Sequence, residues 1–111
     1  MLLLSNVMRS GVTSLAKSLS QQLAGEGIRV NNLVPGAINT DRLRGLMQTQ
    51  SERTGVPFEE ISKARAATVP MGRFGEADEF GQAGAFLLSD AAAYITGETL
   101  VVDGGAMKTV W

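Results

Sequence analysis

With no histidine and no cysteine among its 111 residues, this chain must do any chemistry with hydroxyls, carboxylates, lysines, arginines or a bound cofactor. Disulfides, thiolate nucleophiles and the commonest zinc ligands are excluded, and no metal site is expected. One local candidate is Pro35-Gly36-Ala37-Ile38-Asn39-Thr40, which follows the apolar, largely β-branched run Ile28–Val34. Taken by itself, that is a strand closed by a Pro-Gly turn.

The composition narrows the partners. A net charge of −1 supplies no basic field to recruit nucleic acid or an anionic membrane. No apolar run approaches the roughly 18 residues that span a bilayer. The opening Met1-Leu2-Leu3-Leu4 is too short for a signal-peptide core and has no basic flank. A cytoplasmic protein is expected, with room for one small domain and a modest core.

The elements that must position the candidate residues follow from periodicity. From Leu2 to Ala24, Leu4, Met8, Val12, Leu15, Leu19 and Leu23 recur at steps of four and three, one stripe of a helix about 33 Å long. Gly25 and Gly27 end it. Ile28–Val34 reads as a strand. Two short helices are predicted at Asp41–Gln50 and Pro57–Thr68, separated by a turn at Gly55. Pro70–Gly75 is a loop. Glu76–Leu88 is helical, with acidic residues in its first turn, and Thr99–Asp103 is a second strand stopped by Gly104-Gly105. Helix, strand, helices and strand predict two neighbouring parallel strands joined by a crossover. Neither strand alternates with polar residues, apart from Asn31-Asn32, so both faces are expected to be covered. The alternative is a self-sufficient small α/β domain.

Ile28-Arg29-Val30-Asn31-Asn32-Leu33-Val34-Pro35-Gly36-Ala37-Ile38-Asn39-Thr40 is similar to the sixth strand and following loop of short-chain dehydrogenases/reductases. Gly72-Arg73-Phe74-Gly75-Glu76-Ala77-Asp78-Glu79, Phe86-Leu87-Leu88-Ser89-Asp90, Ile95-Thr96-Gly97-Glu98 and Val102-Asp103-Gly104-Gly105 resemble that family's ending in the same order. The resemblance implies an α/β fold, the C-terminal part of a Rossmann-type doubly wound parallel sheet, two strands plus long helices. It implies that ligand binds at the carboxyl end of the strands. The Ile38 backbone would hydrogen-bond the nicotinamide carboxamide of NAD or NADP, the Thr40 hydroxyl would hold the same end, and Pro35 and Gly36 would shape the turn. A carboxamide needs both a donor and an acceptor in fixed places. Residues 41–70 correspond to the variable substrate lid, in or beside which Met47, Phe58 and Met71 either line an apolar pocket or pack. Thr96-Gly97 and Gly104-Gly105 read as turn chemistry, and Tyr94 as a buried packing residue.

Two departures matter. The glycine-rich pyrophosphate loop and the Asn-Asn-Ala-Gly strand end do not occur in this sequence. Residues 1–111 are therefore expected to be the C-terminal portion of one NAD(P)-binding domain, without its dinucleotide-gripping half. Counting back from Arg29 by the family's interval places the family's Lys at Arg9 and its Tyr, four residues earlier, at Ser5. A phenol of pKa about 10 can be tuned to act as an acid near neutrality, whereas an alkyl hydroxyl is far weaker. Arg9 can still grip ribose hydroxyls through its planar fork, or be a solvated surface charge. Local chemistry reads Ser5 as a residue capping its own first helical turn.

The expected function is part of an NAD(P)-dependent oxidoreductase acting on a small carbonyl or alcohol substrate, of 3-oxoacyl type. By itself the chain is expected to be inactive. The alternative is a non-catalytic relative serving as an oligomerisation or interaction module. Expected partners are a small-molecule substrate and either the rest of its domain or further copies. Contacts would run through helix 2–24, with Met8, Val12, Leu15 and Leu19, and through the C-terminal strand and the tail Met107–Trp111.

Overall fold

The computed structural model describes residues 3–108. Leu2, at the start of the expected first helix, and residues 109–111 of the C-terminal tail lie outside the described residues. The elements are α1 (Leu3–Leu23), β1 (Asn32–Pro35), α2 (Asp41–Thr54), α3 (Phe58–Ala67), α4 (Ala77–Leu88) and β2 (Thr99–Val102), with one-turn 3-10 helices at Ala24–Glu26 and Asp90–Ala92. β1 and β2 are hydrogen-bonded neighbours. The Asn32 N–H donates to the Glu98 carbonyl at 2.8 Å and the Gly36 N–H to the Val102 carbonyl at 2.9 Å. Both partners advance together along the chain, so the pair is parallel, as expected.

β1 begins later than the apolar run because side chains interrupt the ladder at its start, beside a single backbone bond from the Gly97 N–H to the Val30 carbonyl at 2.7 Å. The Val30 N–H donates to Thr96 Oγ1 at 3.1 Å. Asn31 gives Nδ2 to the Ile95 carbonyl at 3.0 Å and takes the Glu98 N–H on Oδ1 at 3.0 Å. With Asn32 Nδ2 donating to Thr99 Oγ1 at 3.3 Å, both members of the polar pair inside an otherwise apolar run have partners.

The chain forms two compact units, Met1–Val34 with Gly84–Leu100, and Pro35–Ala83 with Val101–Trp111. In the first, Ala16, Ser20, Leu87 and Ala92 are buried. Arg29 ties this unit together: its guanidinium donates to the carbonyls of Leu87 at 2.8 Å, Ile95 at 3.4 Å and Ser89 at 3.4 Å. These carbonyls include the C-terminal end of α4, where a cation is favoured. Gly97 has φ +75°, and a Cβ there would meet Ser20 Oγ at 2.6 Å, so the turn chemistry expected at Thr96-Gly97 is present. In the second unit α2 and α3 pack on each other, with Met47, Ile61 and Val69 buried. Gly55, at φ 75°, closes α2 in the left-handed conformation.

Several expectations need correcting. The first helix ends in a 3-10 turn containing Gly25, and Gly27 alone is the left-handed cap, at φ 77°. The apolar stripe of α1 faces outward: Leu4, Met8, Val12 and Leu15 are between 58% and 76% exposed, and the helix buries Ala16 and Ser20 instead. Tyr94 is fully exposed rather than buried; the small residue Ala92, in the one-turn helix just before it, takes the buried position instead. Both strands stay half-buried along most of their length rather than covered on both faces. No helix of the described residues is long and apolar enough to cross a membrane.

Candidate functional site

The Pro35–Thr40 loop leaves the end of β1 under tight constraint. A Cβ at Gly36 would lie 2.6 Å from the Asp103 Cβ and 2.7 Å from its Cα, so only glycine lets the turn close beside the end of β2. Asp103 is itself fixed, since its carboxylate accepts the N–H groups of Gly105 at 2.9 Å and Met107 at 2.7 Å. Gly104 and Gly105 carry positive φ of 63° and 88°, the glycine turn expected from sequence.

Beyond the turn, Ile38 forms an isolated parallel bridge with Gly75. The Gly75 N–H donates to the Ala37 carbonyl at 3.0 Å, and the Asn39 N–H donates to the Gly75 carbonyl at 2.8 Å. In a parallel bridge the residues flanking Ile38 make the bonds. The N–H and carbonyl of Ile38 therefore project from the opposite edge. Among the described residues neither has a hydrogen-bond partner. One residue thus presents a donor and an acceptor side by side at the carboxyl end of the sheet. Ile38, Met71, Arg73, Glu79 and Asp103 line a cavity of about 100 Å³.

Thr40 begins α2 as its N-cap, with Oγ1 accepting the Leu43 N–H at 3.3 Å. That uses an acceptor position of the hydroxyl and leaves its proton free to donate. Around Gly75, the Arg73 guanidinium holds Glu79 through both carboxylate oxygens, at 2.7 and 3.0 Å. Hydrogen bonds from Arg73 and from the Glu76 N–H, with the guanidinium charge, pull the Glu79 carboxyl down to about 2. The same pairing raises the Arg73 guanidinium above its ordinary value.

Pro35, Gly36, Ile38 and Thr40 stand on one loop of the second unit. Ser5 and Arg9 lie four residues apart on α1 in the first, Ser5 half-buried and Arg9 exposed. Ser5 sits inside the helix rather than at a cap, since α1 already runs from Leu3. Of the three apolar side chains in or beside the lid, Met47 is core at 2% exposure and Phe58 is half-buried at the start of α3. Met71 alone lines the Ile38 cavity. Sequence alone gives Gly75, Arg73 and Glu79 no role beyond their place in the family's ending, whereas the structure makes them the loop's support. The available signal was a cation and a carboxylate bracketing that glycine. Among the described residues no cluster of His, Cys, Asp and Glu is placed to hold a metal ion.

Residues 4–107 match the family described as enoyl-(acyl carrier protein) reductase. The chain is 46% identical over 97 residues to the 3-oxoacyl-(acyl-carrier-protein) reductase FabG of Escherichia coli (strain K12), covering 87% of this chain and 35% of that protein. It is 37% identical over 106 residues to the oxidoreductase YxbG of Bacillus subtilis (strain 168), covering 96% of this chain and 38% of the relative. Among solved structures, a short chain dehydrogenase family protein from Francisella tularensis superposes with a TM-score of 0.86 at 33% identity, covering 90% of this chain and 41% of that one. The L-sorbose reductase of Gluconobacter frateurii, solved with NADPH and L-sorbose, gives a TM-score of 0.88 at 28% identity, covering 95% of this chain and 40% of that one. The chain thus spans well under half the length of these relatives. By sequence match and by fold, it belongs to the short-chain dehydrogenase/reductase family.

Proposed function

We propose that this chain supplies the nicotinamide end of an NAD(P)-dependent oxidoreductase acting on a small carbonyl or alcohol substrate, with 3-oxoacyl compounds the narrower substrate class. The observation that carries this reading is the unpaired N–H and carbonyl of Ile38 on the free edge of its bridge with Gly75. A carboxamide matches that pair, one donor to one acceptor each way. The Thr40 hydroxyl, with its proton still free, adds a donor a short way along the loop, while Pro35 and Gly36 set the turn. Bound there, NAD or NADP would supply or take up the hydride; solved relatives that carry NADPH support the choice of cofactor.

Ser5 and Arg9 occupy the positions of the family's Tyr and Lys in this reading. Arg9 holds ribose hydroxyls through its planar fork, and Ser5 passes a proton less readily than a phenol would. The 111 residues form the C-terminal portion of a single Rossmann-type domain, in a cytoplasmic protein, and are inactive by themselves. Purified full-length gene product, assayed for oxidation of NADPH and NADH with short 3-oxoacyl thioesters and simple ketones, tests the reading. Cofactor oxidation that depends on substrate and falls in Arg9→Ala supports it. No turnover together with no cofactor binding overturns it.

A second reading has its own observation. Leu3, Leu4, Val7, Met8, Val12 and Leu15 expose an apolar face along α1. A non-catalytic relative that uses this helix to assemble, with copies of itself or with the rest of its domain, would keep that face while abandoning the Tyr and Lys. Such a protein would bind cofactor without turnover.

A further inference from the structure

We propose that Gly72–Glu79 is a positioning latch for the Ile38 backbone, with Gly75 as its contact and the Arg73–Glu79 pair as its anchor; the proposal rests on the nicotinamide-end reading of Ile38. Both hydrogen bonds that orient the peptides flanking Ile38 go to Gly75, one from its N–H and one to its carbonyl. The ion pair in turn grips both chain neighbours of Gly75. Arg73 donates to the Phe74 carbonyl at 3.1 Å, and Glu79 accepts the Glu76 N–H at 2.9 Å. Glu79 stands in the first turn of α4, so the tilt of the Ile38 peptides is referred to a helix rather than to a free loop. The Ile38 side chain also packs against Gly75, where a Cβ would meet Ile38 Cδ1 at 2.9 Å.

Energetics separate this role from simple stabilisation. The Arg73 and Glu79 side chains are 51% and 45% exposed, and exposed pairs add little to global stability. Orientation is more sensitive, because a group misplaced by about 1 Å loses most of its value in a binding constellation. Removing the pair should therefore weaken recognition of the nicotinamide while leaving the rest of the dinucleotide site intact.

The test uses the full-length gene product and calorimetry with two ligands: NADPH or NADH, whichever binds more tightly, and the matching ADP-ribose, which lacks nicotinamide. Arg73→Gln and Glu79→Gln should each weaken the dinucleotide about fivefold, the size of one neutral hydrogen bond, and leave ADP-ribose within about twofold. Amide exchange at Asn39, which donates to Gly75, should quicken in both variants, and Arg73→Lys, which keeps the charge, should recover part of the loss. Ile38→Pro, which removes the presented N–H and no existing bond, separates the two ideas. If it weakens the dinucleotide while both latch variants do not, the latch is wrong and the nicotinamide reading stands. Equal weakening of both ligands by the latch variants also overturns the latch. If Ile38→Pro changes nothing, the nicotinamide reading falls and the latch with it.

Discussion

Gly36 approaches Asp103 so closely that a methyl group on Gly36 would stand 2.6 Å from the Asp103 Cβ. The obstacle includes the Asp103 backbone, which cannot rotate away as a side-chain tip can. Gly36→Ala should therefore cost about 1–3 kcal/mol, as overpacking does. Gly11→Ala is the matched control, because a Cβ at Gly11 of α1 meets nothing within 4 Å. That change should be neutral or stabilising by up to about 1 kcal/mol. Denaturant titration of the two variants decides it, and equal tolerance at both glycines would show that the turn does not need its close approach.

The Glu79 carboxyl titrates at about 2 in the folded chain, lowered from 4.5 by the Arg73 and Glu76 hydrogen bonds. A depressed carboxylate stabilises the fold above its unfolded value and loses that contribution as pH falls through the folded one. Arg73 stays charged throughout. The difference in melting temperature between the native chain and Glu79→Gln should be constant above about pH 4.5 and shrink as pH drops toward 2. It should also be reduced by salt, since the pair is exposed. A difference that grows on acidification would contradict the sign.

The α1 face leads to an expectation about assembly. Met8 and Leu15 are 64% and 58% exposed on α1, the N-terminal part of whose stripe has no cover among the described residues. In sedimentation equilibrium the 111-residue chain should self-associate, and Met8→Lys with Leu15→Lys should abolish that. Closed two-fold symmetry would bring the same patch of each copy together. A cooperatively melting monomer would show that the face needs no partner.

Periodic elements were legible from sequence because their signals are local. The steps of four and three from Leu4 to Leu23 and the caps at Gly27 and Gly55 place α1 and α2 to within a few residues. The Pro35–Thr40 loop was legible through resemblance as a turn that follows a strand. The Ile38–Gly75 bridge was not, since it pairs distant backbone atoms that leave no mark on residue type. Nor was the full exposure of Tyr94, since it is the nearby Ala92 that is buried. Strand β1 starts later than the apolar run because apolar character at Ile28 and Val30 does not reveal that Thr96 and Asn31 side chains interrupt the ladder there.

The most direct test of the nicotinamide-end account is a titration of the isotope-labelled 111-residue chain with NADPH and with NADH, followed at the backbone amides. With the phosphate-gripping loop absent from these residues, binding should be no tighter than about millimolar, roughly −4 kcal/mol. The largest shifts should fall on the Ile38 amide and its loop neighbours through Thr40. Micromolar binding, or shifts that leave Ile38 unmoved, would contradict it.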